Sequence, residues 1–175
     1  MSAMNERKTV AMSQSLAVQE NIVLPGDTNA HDTLFGGLLM KHIDETAAIS
    51  ARRHCRGSVV TASNDGVHFH CPIQRDDIVI LESYVCSVGR TSMEIFVKIL
   101  TESSADVSQR QVAAISFLTF VSLDKNGKPS VVPLVEPESE EEQLVYADKD
   151  VRKEARLKKR EETNGLICSL STGRT

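Results

Sequence analysis

The chain lacks any apolar run of the roughly eighteen residues that a membrane-spanning helix needs, so no membrane insertion is expected. Its first residues carry the basic pair Arg7-Lys8 with no apolar stretch behind it. That pattern reads as a polar arm rather than a signal peptide, and a cytoplasmic location is the expectation. There is no excess of positive charge: 20 Lys and Arg stand against 24 Asp and Glu, a net charge of -4. A nucleic-acid partner is therefore not expected. No Cys-x-x-Cys spacing occurs among Cys55, Cys71, Cys86 and Cys168, which suits free thiols in a reducing compartment. The pairs His54-Cys55 and His70-Cys71 match no standard zinc spacing, and no metal site is expected. No Gly-x-Ser-x-Gly is present, so a serine-hydrolase triad has no support. No internal repeat is found.

What is present, 175 residues with 41% hydrophobic and 25% charged, fits one globular domain with a core and a tail. Residues 1–13 read as a flexible arm. Residues 14–24 read as a strand entering a turn at Pro25-Gly26-Asp27. A long helix over residues 36–54 follows, ended at Arg56-Gly57. Four β-rich stretches come next, at residues 58–70, 77–88, 91–100 and 109–123, with breaks at Gln74-Arg75-Asp76, at Gly89-Arg90 and in a hairpin loop over 103–108. One helix after the first strand, then sequential strands, predicts an α+β domain whose antiparallel sheet packs on a central helix. A helix apolar on most faces needs wrapping rather than one-sided support, so the sheet should curl around it.

The tail changes character. Glu136-Pro137-Glu138 ends the sheet region, and Ser139 with Glu142 makes a capping box. A charged helix over 136–162 should be acidic first and basic later, an order that suits the helix dipole. Residues 163–175 read as disordered.

Asp44 is the residue that local chemistry does not explain. On a helix it shares a face with Gly37, Met40, Lys41, Ala47, Ala48 and Ala51, mostly small or apolar neighbours. A carboxylate there is either held and used, as a base or nucleophile, or the helix is amphipathic and Asp44 and Glu45 face solvent. Asn29 has a turn-forming reading after Pro25-Gly26-Asp27, and Arg90 one as part of a plain hairpin turn.

Asn29, the run from Thr33-Leu34-Phe35-Gly36-Gly37 through Asp44-Glu45, and the segments Arg53-His54-Cys55, Val60-Thr61-Ala62-Ser63, Val88-Gly89-Arg90-Thr91-Ser92-Met93-Glu94 and Phe120-Val121-Ser122-Leu123 resemble the hot-dog-fold acyl-CoA thioesterases. The resemblance extends over residues 14–160. It implies a hot-dog fold, an antiparallel sheet wrapped around a long central helix, with the charged C-terminal helix added. It also implies a homodimer, often assembled three to a hexamer, with active sites between subunits. One subunit would supply the helix carboxylate, here Asp44, and its partner the loop asparagine, here Asn29. The activity implied is hydrolysis of fatty acyl-CoA to fatty acid and coenzyme A, with no resident cofactor, since coenzyme A arrives with the substrate.

On this reading Asp44 deprotonates a water, a route favoured over direct attack to an anhydride. Backbone N–H groups at Gly36 and Gly37, at a helix N-terminus, would take the oxyanion. Arg90 is the main phosphate candidate, helped by N–H groups freed at Gly89 and by Thr91 and Ser92, with Arg152 and Arg156 as further candidates. Thr61, Ala62 and Ser63 would line the pantetheine channel. Two other readings stay open: a hot-dog hydratase or dehydratase, for which His31 is the only support, and a non-catalytic acyl-CoA-binding protein.

Overall fold

The computed structural model describes residues 7–103 and 106–170. Its longest core element is α1, Gly36–Cys55. The residues α1 buries are Leu39, Ile43, Thr46, Ala47, Ser50, Ala51 and His54, at the three- and four-residue spacing of one helix face. Asp44 sits at the shoulder of that face, half-buried. The helix ends where Arg56 turns left-handed (φ 54°) and returns its N–H to the Arg52 carbonyl. Arg52, Arg53 and His54 place cationic or titratable groups at the negative end of the dipole.

Five antiparallel strands curl around α1: β2 (Ala17–Ile22), β3 (Ser58–Phe69), β4 (Ile78–Val88), β5 (Ser92–Ser103) and β6 (Asp106–Leu123). Their order is β2-β4-β5-β6-β3. The inner strands β4 and β5 are buried almost throughout, because α1 covers one face and the C-terminal helices cover part of the other. Edge strand β3 is mostly exposed and, among the described residues, pairs only with β6, with register shifts between Thr61 and Ser63 and between Asn64 and Val67. This is the expected hot-dog arrangement.

Three expectations are corrected. Residues 1–13 are not wholly a free arm: β1 (Thr9–Ala11) runs parallel to β7 (Leu134–Glu136), and Met12 is fully buried. The short apolar run Val10-Ala11-Met12 finds cover there, and Arg7 donates to the Val132 and Gly89 carbonyls at 2.7 Å each. The charged helix is two helices, α2 (Glu140–Ala147) and α3 (Lys149–Ser169), broken at Asp148. Helix α3 also runs seven residues past 162, where the Thr163 and Ser169 hydroxyls donate back to carbonyls four residues earlier instead of unwinding the chain. Residues 1–6 and 171–175 lie outside the described residues, as do 104–105 of the expected hairpin loop; strand β6 already begins at Asp106. The capping box forms as read: Ser139 Oγ accepts from the Glu142 N–H and Glu142 Oε2 from the Ser139 N–H.

His54 makes the fold sensitive to acid. Its Nε2 faces the Pro133 carbonyl at 3.1 Å, which can only accept, so Nε2 carries the proton; Nδ1 is buried without a partner. Burial pulls the His54 pKa below 6.5, more than the Pro133 hydrogen bond raises it, and Arg7 lowers it further. The unfolded chain therefore binds the proton more readily. Stability from this group is complete above 6.5 and falls as pH drops through that value. Thermal melts across this range should show a loss of Tm on acidification that shrinks in His54→Gln; equal slopes for both proteins would contradict the assignment.

Candidate functional site

Asp44 meets strand β3. Thr61 Oγ1 donates to Asp44 Oδ1 at 2.8 Å, fixing the carboxylate while Oδ2 keeps no partner among the described residues. The bulge between Thr61 and Ser63 falls at this contact. Thr61, Ala62 and Ser63 are all exposed, and the outer edge of β3 bonds to no strand among the described residues. Thr61 lies towards α1, whereas Ala62 and Ser63 line a cleft beneath α3. The strand edge thus separates the carboxylate from that cleft.

Asn29 lies at the other end of α1. Its Oδ1 accepts from the His31 N–H at 2.8 Å, an Asx-turn, and its Nδ2 donates to Thr33 Oγ1 at 2.9 Å. The turn-forming reading of Asn29 is thus realised, and it orients the amide, whose second N–H stays available. His31 is exposed and contributes its backbone N–H to this turn. Helix α1 begins without a side-chain cap, and no acceptor among the described residues takes the Gly36 or Gly37 N–H. A Cβ on Gly37 would come within 2.6 Å of the Phe35 ring, whereas one on Gly36 would meet only Phe69 at 4.0 Å. A cavity of about 430 Å³ opens here between Asn29, Gly36, Leu39, Phe69 and Ile73. Gly36 and Asp44 are separated by roughly 12 Å of helix at 1.5 Å per residue, so one protomer does not bring its Asn29 loop to its own Asp44.

The phosphate candidates divide. Gly89 frees no donor: its N–H goes to the Ser92 carbonyl at 2.8 Å and its own carbonyl accepts from Arg7. The segment Gly89 to Ser92 is a closed hairpin turn, and the Thr91 carbonyl accepts from the Ser122 N–H. Arg90 is exposed and lies outside the cleft. Gly89 and Ser92 do line the cleft, a space of about 620 Å³ that also includes Glu94, Arg156 and Arg160. Arg152 is spent elsewhere: its Nε and Nη2 grip Glu94 at 3.0 and 3.1 Å, and its guanidinium lies over the Phe117 ring. Arg156 also bonds Glu94 and reaches Asp65 at 3.5 Å.

Sequence reasoning gave Glu94, the anchor for α3, no role of its own, and read Lys153, Lys159 and Arg160 only as part of the basic run of the C-terminal helix; all three line the cleft. A signal for Glu94 existed: a lone acid inside the alternating apolar strand from Ser92 to Leu100. Burial pushes the Asp65 carboxyl up despite the neighbouring Arg156. Burial, then Glu94, pushes the Cys86 thiol far up, and burial, then Asp77, raises Cys71. Both shifts disfavour the thiolate, the form that acts as a nucleophile. Among the described residues no helix is long and apolar enough to cross a membrane.

Comparison with known proteins adds to this geometry. A model of the thioesterase superfamily matches residues 31–108. The chain is 47% identical over 169 residues to the acyl-CoA thioester hydrolase YkhA of Bacillus subtilis, covering 97% of this chain and 98% of that protein. It is similar to the acyl-CoA hydrolase of Staphylococcus aureus solved with butyryl coenzyme A, coenzyme A and coenzyme A disulfide: 42% identity, 91% of this chain, 96% of that one, TM-score 0.87. Variants of that enzyme with an aspartate, an asparagine or a threonine replaced by alanine have also been solved. A hexameric acyl-CoA thioesterase is 40% identical, with 87% of this chain and 97% of that one covered and a TM-score of 0.84.

Proposed function

We infer that this chain, which belongs to the thioesterase superfamily, is an acyl-CoA thioester hydrolase releasing fatty acid and coenzyme A. The observation that carries the mechanism is the half-buried Asp44 carboxylate, held by Thr61 on one oxygen and open on the other. Asp44 Oδ2 takes a proton from water as the oxygen attacks the thioester carbonyl. The tetrahedral intermediate then expels the coenzyme A sulfur, which receives that proton, and Asp44 returns to its ionised state. Placement of the Gly36 and Gly37 N–H groups at a helix N-terminus suits them to the developing oxyanion, at about 3 kcal/mol for each donor.

The site is shared between two copies. Asn29, Gly36 and Gly37 of one protomer meet Asp44 of another, which accounts for the separation of the two ends of α1 within one chain. A twofold pairing across the unpaired edge of β3 would join two five-stranded sheets and cover Val60 and Phe69, both exposed in the single chain. The proposed assembly is a homodimer, with three dimers to a hexamer, as supported by the hexameric relative. Asn29 orients the water or the thioester carbonyl through its free N–H. Thr61, Ala62 and Ser63 carry the pantetheine arm over the strand edge, and Gly89, Ser92 and Arg156 border its outer end, with Arg90 and Thr91 in the adjoining turn and Arg152 holding α3 in place. No resident cofactor, metal or nucleic acid takes part, and the enzyme works in the cytoplasm.

The test is the release of free thiol from palmitoyl-CoA by the purified protein, followed with a thiol-reactive chromophore. Thiol in step with fatty acid is the expected result. Hydration of an enoyl-CoA with no thiol released would replace the hydrolase reading with that of a hydratase.

A further inference from the structure

The cavity at the start of α1 has a histidine in its wall. His70, the residue after β3, lines it together with Asn29 and Gly36. The backbone is fixed there: the His70 N–H donates to the Ala113 carbonyl at 2.8 Å, and the Cys71 N–H to the same oxygen at 3.3 Å. The imidazole is exposed and has no hydrogen bond or ion pair among the described residues. The other histidines differ. His54 is buried against the Pro133 carbonyl, and His42 Nδ1 is held by Gln19 at 2.9 Å. His31 and His68 are exposed and line neither cavity. His70 alone among the five places a free hydrogen-bonding ring beside the helix N-terminus suited to an oxyanion. Strand β3 explains how that ring reaches the reaction. Near its start Thr61 holds Asp44, and its end leads through Phe69 into His70. The strand between Thr61 and Phe69 is roughly 25 Å long at about 3.3 Å per residue, too far for Asp44 and His70 of one chain to meet. Two copies of β3 paired antiparallel, with Asp65 at the twofold axis, set Thr61 of one beside Phe69 of the other. The carboxylate of one protomer then faces the cavity wall that contains His70 of its neighbour.

We propose that His70 is a catalytic residue of the shared site: its imidazole N–H donates to the thioester carbonyl oxygen, beside the Gly36 N–H, and stabilises the charge that this oxygen gains as water attacks. The inference rests on the thioesterase reading. The relative needs of the two reacting ends decide the role. A thiol ionises near pH 8.5, so the sulfur departs readily without a proton donor of its own. The carbonyl oxygen passes from neutral to alkoxide, and donors already in place there supply a large share of the rate. The bonds and protons balance as before. Water gives its proton to Asp44 of the neighbouring protomer while its oxygen bonds to the carbonyl carbon. The carbon–sulfur bond breaks as the carbonyl re-forms, and the proton on Asp44 goes to the sulfur. His70 keeps its own proton throughout.

The test compares His70→Ala and His70→Gln with wild type on octanoyl-CoA. His70→Ala should lower kcat about a hundredfold, the usual loss for one such donor, and leave KM within about twofold. His70→Gln keeps an N–H at similar reach and should recover at least about a tenth of the wild-type kcat. Both should melt at the wild-type Tm, because the ring is exposed and unpartnered. A kcat for His70→Ala within about threefold of wild type overturns the proposal, as does a glutamine variant no faster than the alanine one, or a loss of Tm in both. Calorimetric titration reads the contact without turnover. The probes are the ketone isostere of octanoyl-CoA, with methylene in place of sulfur, and S-octyl-CoA, which has no carbonyl. The ketone should bind His70→Ala about fivefold more weakly than wild type, and S-octyl-CoA should bind both proteins equally. Equal effects on the two probes overturn the proposal. A wild type that releases no thiol defeats the thioesterase reading, and the titration still decides whether His70 contacts the acyl carbonyl.

Discussion

Replacing Asp44 with alanine should lower kcat/KM on palmitoyl-CoA by a factor of about 100 to 10,000, the usual contribution of a positioned general base. The fold should not register the change strongly. Asp44 is half-buried, and among the described residues its carboxylate takes one hydrogen bond, from Thr61, worth about 1 kcal/mol. Asp44→Asn keeps a carbonyl acceptor for Thr61 yet removes the base, so it should be nearly as inactive while matching the wild-type Tm. The pair separates chemistry from packing. A wild-type rate in either variant would remove Asp44 from the reaction, whereas lost activity together with a collapsed Tm in both would assign it a structural task instead.

The second large effect is on stability. Glu94 is 2% exposed in its side chain and takes hydrogen bonds from Arg152 and Arg156, whose side chains are 18% and 19% exposed. Glu94→Ala leaves two guanidiniums facing each other beneath α3, with only Asp65 nearby to compensate Arg156. Removing one partner of a buried ion pair costs about 3–5 kcal/mol, and the residual access of the arginines to water places this case near the lower figure. Urea unfolding followed by circular dichroism should show that loss in ΔG. Proteolysis should cut within α3 of the variant before it cuts the sheet. A replacement that changes ΔG by less than about 1 kcal/mol would mean α3 is held by its apolar contacts and not by this clamp.

The central helix was legible from the sequence because its signals are local. Gly36-Gly37 opens it, the apolar spacing runs three and four, and Arg56-Gly57 closes it. The capping box at Ser139 and Glu142 is local too. Asp44 was conspicuous for the same reason, as a carboxylate on a face of small residues. What it touches was not legible, since Thr61 reaches it only once β3 folds back beside α1. The arginines of α3 illustrate the limit. A helical wheel places Arg152 and Arg156 on one face, but Glu94, which consumes both, is 58 and 62 positions away in the chain. Among the described residues Lys153, Lys159 and Arg160 line the cleft without an ion-pair partner, a distinction that no sequence pattern carries. Strand β1 was missed because three residues pairing in parallel with a distant strand leave no alternation long enough to read.

The shared site can be measured directly by subunit mixing. Asn29→Ala and Asp44→Ala proteins, each inactive alone, are unfolded together, refolded, and the mixed dimers isolated by two affinity tags. Each mixed dimer holds one site with both residues intact, so the account predicts that thiol release from palmitoyl-CoA returns to about half the wild-type rate per dimer. Verified mixed dimers that stay as inactive as their parents would contradict it.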